Sequence, residues 1–502
     1  MSKNMQLLQS HPAWKENIED WKFLINSYMG GSMYKEGEYL APYIMESRED
    51  YEQRLDNTPL DNHVRSVVSV FNSFLFRQPP KRELGNLATD AGIEAFMGDA
   101  DLDGRSFDSV MRDISTFASV YGHVWVIMDK PQTTAFTRAE ELNQGVRPYM
   151  SIYTPENVID WQYMRAPNGK YYLTYLKLYE GSHNGFDTFR IYTPEVIQVV
   201  EIESEAKAAD ATVISEIPNA LGEVPAVCVY SQRSPTRGIG VSDVADVASM
   251  QRGIYNELSE GEQILRLTNH PSLVKTRQVE ASAGAGSIIQ MPEDTPEGLK
   301  PYLLQPNGAS IDGILESIKT KVEAIDRMSH MGGIRSIESR RLSGVALATE
   351  FQLLNAKLSE KADNLEHAEE QIWRLYAKWQ GTVWTGAVKY PDSFNIQDKY
   401  NDMVMLKTAK EAGVESPILR AEIEDKMLRI LVEDERYEEL TSQPQKDLLT
   451  HAPVTNAADL VQHLRDMVEL GYTNEEIQAL HPELVELFET NDSEDINGDE
   501  DS

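Results

Sequence analysis

A single cysteine, Cys228, stands in a chain of 502 residues, which excludes an intrachain disulfide and any zinc–cysteine cluster. Its setting, VPAVCVY, reads as an apolar strand with the thiol as a small buried hydrophobe. No apolar run approaches the ~20 residues a membrane-spanning helix needs. The opening residues, MSKNMQLLQSHPAWKENIEDW, lack the apolar stretch of a secretory leader, so an intracellular origin is expected. Positive charge is scarce: 47 Lys and Arg face 81 Asp and Glu, a net charge of −34. Tight nucleic-acid binders need Lys and Arg to displace counterions from phosphates, so this balance argues against a static DNA grip. It still allows a wall past which DNA slides without sticking, and it also favours solubility.

Catalytic signatures are missing as well. The chain has no GxxxxGK[ST] loop, no HExxH, no GxSxG, and no GxGxxG after a strand. Its ten histidines show no ligand spacing, and its carboxylates are too many for one acid/base pair to stand out. The expectation is a protein with no catalytic residue, no cofactor and no metal, hence not an enzyme. One loop invites a calcium test. Asp99, Asp101, Asp103 and Gly104 match the first half of an EF-hand loop, but the twelfth position is Val110 and the eighth is Ser106. Capping of the following helix by Asp103 or Ser106 is the better reading.

What the chain does have is a long helix. From Leu342 to Gly386, apolar residues recur at Leu347, Phe351, Leu354, Leu358, Ala362, Leu365, Ala368, Ile372, Tyr376 and Trp379. Steps of three and four place them on one stripe. Glu360, Lys361, Asp363, Glu366, Glu370, Arg374 and Lys378 are assigned to the opposite face. Ser343 is the expected N-cap and Gly381 the stop. Roughly 35 residues at about 1.5 Å each give a rod of about 50 Å. Such a rod is a long core or coiled-coil helix, or a radial strut in a large assembly.

The remaining chain falls around it. Residues 1–80 carry a helix ended by Gly30-Gly31 and a second from Arg48 to Phe76, interrupted at Pro59. A helix, SFDSVMRDISTFASVYG, leads into a buried strand, HVWVIMD. Residues 147–230 read as short strands with a hairpin turn at Pro167-Asn168-Gly169. Helical patterns follow from Ser242 to 268 and from 310 to 331. They bracket a compact insert with two strand-like runs, VKTRQV and SIIQM. A Gly/Ser/Arg-rich loop, GGIRSIESRRLSG, precedes the long helix. Residues 401–490 are mostly helical in pattern. The acidic end, 491–502, reads as a solvated tail.

This order of parts resembles the portal proteins of tailed bacteriophages. Local phrases are also similar: SVYGHVWVIMD, LGEVPAVCVY, GVSDVADVASMQRGIYNELSE and LSGVALATEF. The resemblance implies an α+β fold with a β-rich wing, a two-helix stem, a small β-containing clip, a long wing helix and a helical crown. Its divisions here would be an N-terminal arm at 1–30, wing at 31–241, and stem helices at 242–268 and 309–331. The clip would be 269–308 and the tunnel loop 332–344. The long helix and the rest of the wing would be 345–400, the crown 401–490 and the tail 491–502. It further implies a ring of twelve copies at one vertex of the virion capsid, assembled in the host cytoplasm. The ring would be a channel for packaging and ejecting double-stranded DNA without sequence preference. The implied partners are the terminase large subunit, a head-to-tail adaptor, and the major capsid or scaffold protein, with no membrane. Gly332, Gly333, Arg335, Arg340 and Arg341 would line the channel. Lys275, Arg277, Glu280, Glu293 and Asp294 would lie on the docking clip. A head-completion or scaffold protein without a channel, and an enzyme with a long helical arm, are the alternatives.

Overall fold

Proline and glycine divide the first helices of this chain. In the computed structural model, residues 9–135, 137–203, 211–269, 272–274, 296–300, 302–304, 309–331, 344–391, 394, 406–410 and 423–428 are described. They belong to two units, Met1–Asn395 and Ile396–Ser502. In the second unit, 406–410 and 423–428 are helical, and Lys410 pairs with Glu424 at 2.7 Å.

The first unit opens with helices α1 (Pro12–Met29), α2 (Gly31–Glu36), α3 (Arg48–Asn57) and α4 (His63–Leu75). The interruption expected at Pro59 within Arg48–Phe76 is present and divides that stretch into two helices. Pro59 lacks the N–H that a continuing helix needs, and Asn62 restarts the chain by accepting from the Arg65 N–H at 2.8 Å. The N-terminal segment is part of the core. Trp21 and Leu24 of α1 are buried, and the Trp14 indole donates to the Pro155 carbonyl at 3.1 Å.

Strand β1 (Lys81–Glu83) is followed by α5 (Ile93–Gly98) and α6 (Phe107–Tyr121). Ser106 is the N-cap of α6, accepting from the Ser109 N–H at 3.3 Å. Then come β2 (His123–Asp129), α7 (Arg138–Asn143), β3 (Tyr149–Tyr153), β4 (Val158–Arg165), β5 (Tyr171–His183), β6 (Phe186–Tyr192), β7 (Val196–Glu203), β8 (Thr212–Pro218) and β9 (Ala226–Tyr230). β2 lies between β3 and β9 in a three-stranded antiparallel sheet. Strands β4 to β8 form a five-stranded antiparallel meander in chain order. Its two faces go to different places, as the period of two requires. Leu176, Leu178, Tyr192 and Ile197 join the main core, whereas Phe189, Ile191, Val200 and Ile202 form a small core of their own. Strand β8, which the sequence pattern does not announce, is an edge with little burial.

A short pair, β10 (Gln232–Arg233) with β11 (Gly240–Val241), leads into α8 (Ala245–Asn269). Strand β12 (Ser272–Val274) pairs antiparallel with β13 (Tyr302–Leu304), and α9 (Ala309–Met328) follows. Of the two strand-like runs expected in the insert, only Val274 is described, in β12. SIIQM lies outside the described residues, and the partner strand is Tyr302–Leu304.

Helix α10 (Gly344–Trp379) has 36 residues, about 54 Å at about 1.5 Å per residue. Leu354, Leu358, Ala362, Leu365, Ala368, Ile372 and Tyr376 are all buried, as the stripe predicts. Each large aliphatic among them contributes roughly 1.5–3 kcal/mol of burial. The stripe packs on β2, β9 and α4. Near its end, the fully buried Trp373 meets Phe96, Phe107 and Tyr376 at ring-centroid distances of 5.7, 4.8 and 5.9 Å. Strand β14 (Ala387–Lys389) then pairs with β1, joining the chain after α10 to the segment before α5. The fold is α+β.

One glycine is fixed by close approach. Gly122, at φ +91°, ends α6, and a Cβ there would lie 2.7 Å from the Gly240 backbone. Left-handed backbone costs an L-residue roughly 1–2 kcal/mol before any clash is counted. Gly122→Ala is therefore expected to lower unfolding stability by more than about 2 kcal/mol in urea titration. A change within about 0.5 kcal/mol would show that this contact is slack.

Candidate functional site

Helices α8 and α9 form an antiparallel hairpin: Gly253 faces Lys321, Glu257 faces Ser317, and Gly261 faces Ile314. Lys321 Nζ and Ser317 Oγ both donate to Glu257 Oε1, at 2.5 and 2.7 Å. The β12/β13 pair stands at the end of this hairpin away from the core. At the core end, Val244, Val247, Ile254, Ile325 and Met331 are buried. Farther out the stripe emerges into solvent. Leu265 is 41% exposed and Leu315 56% exposed. Among the described residues, the outer part of the hairpin thus leaves Leu265 and Leu315 largely uncovered.

The start of α8 is tied to α10 by a buried charge cluster. Lys361 was assigned to the polar face of the long helix, but it is buried. Its Nζ donates to Asp243 Oδ2 at 2.6 Å, Ser231 Oγ at 2.7 Å and Ser119 Oγ at 2.8 Å. Those three bonds use all the donors an ammonium has. Ser231 Oγ donates to Asp243 Oδ2 at 2.5 Å, and Lys357 lies 3.4 Å from Asp243 Oδ1. Burial alone would raise the Asp243 pKa. The charges of Lys361 and Lys357 outweigh it, and the carboxyl titrates below its usual range. The physical reason for the misassignment is spacing: Lys361 stands three residues after Leu358 and four before Leu365, inside the stripe.

A second cluster sits two turns further along. Glu369 is fully buried and binds Arg82 Nε at 2.5 Å. It also accepts from the Trp373 indole at 3.0 Å and the Tyr390 hydroxyl at 2.7 Å. Arg82 reaches Asp108 as well, at 2.6 Å. Strands β1 and β14 are thus held to α10 through one carboxylate. A third polar contact ties the start of β2 to β11. His123 Nδ1 accepts from the Gly240 N–H at 3.2 Å, and burial lowers the imidazole pKa to about 3, so it is neutral at pH 7.

The acidic loop before α6 spends its carboxylates on the protein. Asp101 accepts from the Asp103 N–H at 3.0 Å and from Arg105 Nε at 2.5 Å. Asp99 accepts from the Gly104 N–H at 2.8 Å and from Arg147 at 2.7 Å. Among the described residues, no group of three or more His, Cys, Asp or Glu could hold a metal ion. Cys228 is half-buried beside a cavity, and burial pushes its thiol up to about 12.

No family model matches the chain. No curated protein matches it either. Solved structures with a similar arrangement come from gene transfer agent particles. One, from the virion of the native particle, is 9% identical, with a TM-score of 0.40. It covers 80% of this chain and 98% of that one. Another, from the neck of the empty particle computed with C6 symmetry, is 9% identical with a TM-score of 0.41, over 79% and 98%. A third, from the neck of the native particle computed with C12 symmetry, is 8% identical with a TM-score of 0.40, over 84% and 99%. Likeness at this level does not carry a function across.

The residues expected at a channel, Gly332, Gly333, Arg335, Arg340 and Arg341, lie outside the described residues. So do the expected docking residues Lys275, Arg277, Glu280, Glu293 and Asp294. Nearly all of 401–490 and the whole of 491–502 are likewise outside. No described helix is long and apolar enough to cross a membrane.

Proposed function

We propose that this chain is the subunit of a portal-type head-to-tail connector, a ring through which a viral genome is packaged and ejected. The observation that carries the reading is the antiparallel α8/α9 hairpin. It bears a β pair at its outer end and two largely exposed leucines, Leu265 and Leu315, toward that end, and a 36-residue helix follows it. A hairpin that exposes Leu265 and Leu315 is suited to contact its neighbours in a closed ring, where each copy offers one face and receives another. The buried Asp243–Lys361 pair would hold the hairpin at a fixed angle to the long helix.

On this reading twelve copies surround double-stranded DNA. The hairpin end, 269–308, meets the terminase large subunit and later the head-to-tail adaptor. Capsid or scaffold protein holds the ring at a vertex of the virion. The chain has no nucleotide-binding loop, so the motor is a separate protein. Arg335, Arg340 and Arg341 form a basic cluster in a chain of net charge −34, which suits brief, salt-sensitive phosphate contacts. Arg340→Ala with Arg341→Ala should leave ring assembly intact and shorten the DNA retained in filled heads. Deleting 281–287 should spare the ring and block packaging or tail joining. Full-length packaging with normal tail joining in both variants would falsify the channel and docking assignments.

A further inference from the structure

A cavity of about 460 Å³ opens between β5, the turn before β9, the β10–β11 segment and the last third of α10. Its chemistry is unlike the rest of this acidic chain. Arg233, Arg237, His367, Arg374 and Lys378 line it, against one carboxylate, Glu223. Tyr171 and Tyr172 stand at its mouth, 47% and 44% exposed. The Arg237 guanidinium lies over the Tyr171 ring at 3.7 Å from the centroid, which holds the charge in place without neutralising it.

The two rims differ. On the α10 rim, Glu223 receives Arg374 at 2.9 Å and Lys378 at 3.1 Å. On the opposite rim, neither Arg233 nor Arg237 has an acidic side chain within ion-pair distance among the described residues. The cavity thus displays one carboxylate already bound and room for another beside two stacked arginines. A carboxylate can take both oxygens to a guanidinium.

We infer that this cavity receives a carboxylate-bearing segment of a second copy of this chain. The inference rests on the reading that copies assemble in a ring. Two copies of net charge −34 repel each other, and beyond about 8–10 Å salt screens that repulsion. At contact distance a local cluster of opposite sign sets the register, and 81 acidic residues supply the complement. The contact pairs a basic cavity on one copy with an acidic surface on the next, so it is heterologous, as ring closure requires.

The test is sedimentation of full-length protein at a concentration where the wild type is about half assembled. Arg233→Glu with Arg237→Glu should cut the assembled fraction on the order of tenfold, with an unchanged circular dichroism spectrum. Glu223→Gln removes the competing carboxylate and should raise the assembled fraction, a gain that misfolding cannot mimic. Raising salt from ~50 to ~500 mM should weaken the wild type and leave the double variant little changed. The inference is overturned if both variants assemble as the wild type does, with the ring reading left standing. It is also overturned if a fluorescent dT oligonucleotide binds the wild type saturably and not the double variant. A wild type that stays monomeric throughout would remove the ring reading together with it.

Discussion

Replacing Lys361 by alanine is expected to lower the unfolding free energy by about 3–5 kcal/mol, because it leaves the Asp243 carboxylate buried without its principal cation. Asp243 would keep Ser231 and the more distant Lys357, at 3.4 Å. Neither replaces a 2.6 Å ammonium contact with a side chain 5% exposed. Removing both charges together, as Lys361→Met with Asp243→Leu, should cost less than Lys361→Ala, since no unpaired charge remains. The pH dependence has a definite sign. The folded pKa of Asp243 is below its unfolded value, so its contribution is full above about pH 4 and is lost as pH falls through the lowered folded pKa. Lys361→Ala should therefore flatten the acid limb of the stability profile. Equilibrium urea unfolding between about pH 3 and 7 measures both effects. A loss under about 1 kcal/mol would mean that the cluster is water-filled in solution.

Arg82→Ala should cost about as much, roughly 3–5 kcal/mol, by stripping the cation from the fully buried Glu369. Burial works against the Arg82 charge, yet the hydrogen bonds and charge of Glu369 outweigh it and hold its pKa above the ordinary value. The Trp373 and Tyr390 donors would remain. They are neutral, and a neutral donor is worth about half a charged one. Because Arg82 sits on β1 and Tyr390 follows β14, the variant should also loosen that two-stranded pair. Hydrogen exchange at 81–83 and 387–389 should rise while α8 stays protected. Arg82→Lys should recover only part of the loss, since an ammonium cannot present the planar fork that binds Glu369 through two nitrogens.

The long helix was legible because a stripe of ten apolar residues at helical spacing admits little else. Its charged interior positions were legible in principle. Lys361 falls on the stripe three residues after Leu358 and four before Leu365, Glu369 four after Leu365 and three before Ile372, and a charge at that spacing signals a buried partner. The partners were not legible: Asp243, Ser231 and Arg82 lie 118 or more residues away in sequence, and only the folded chain brings them together. Strand β8 escaped notice because an edge strand buries little and shows weak alternation. The break near Pro59 was legible, whereas the Asn62 cap was not, because Asn62 is one of several polar residues in NTPLDNH that could restart a helix. The basic cavity could not be read at all. Its walls come from residues 163, 171–173, 222–237 and 367–378, and its cations are split between Arg233 and Arg237 on one stretch and Arg374 and Lys378 on another far away in sequence.

Ring formation is the claim on which the rest depends, and negative-stain electron microscopy of the concentrated, purified full-length protein tests it most directly. The account predicts closed rings of one size, with a central hole in end views, a narrow stalk from the α8/α9 hairpins in side views, and rotational averaging that selects twelve. Single particles of one 502-residue chain at every concentration, or open filaments without a hole, would contradict it.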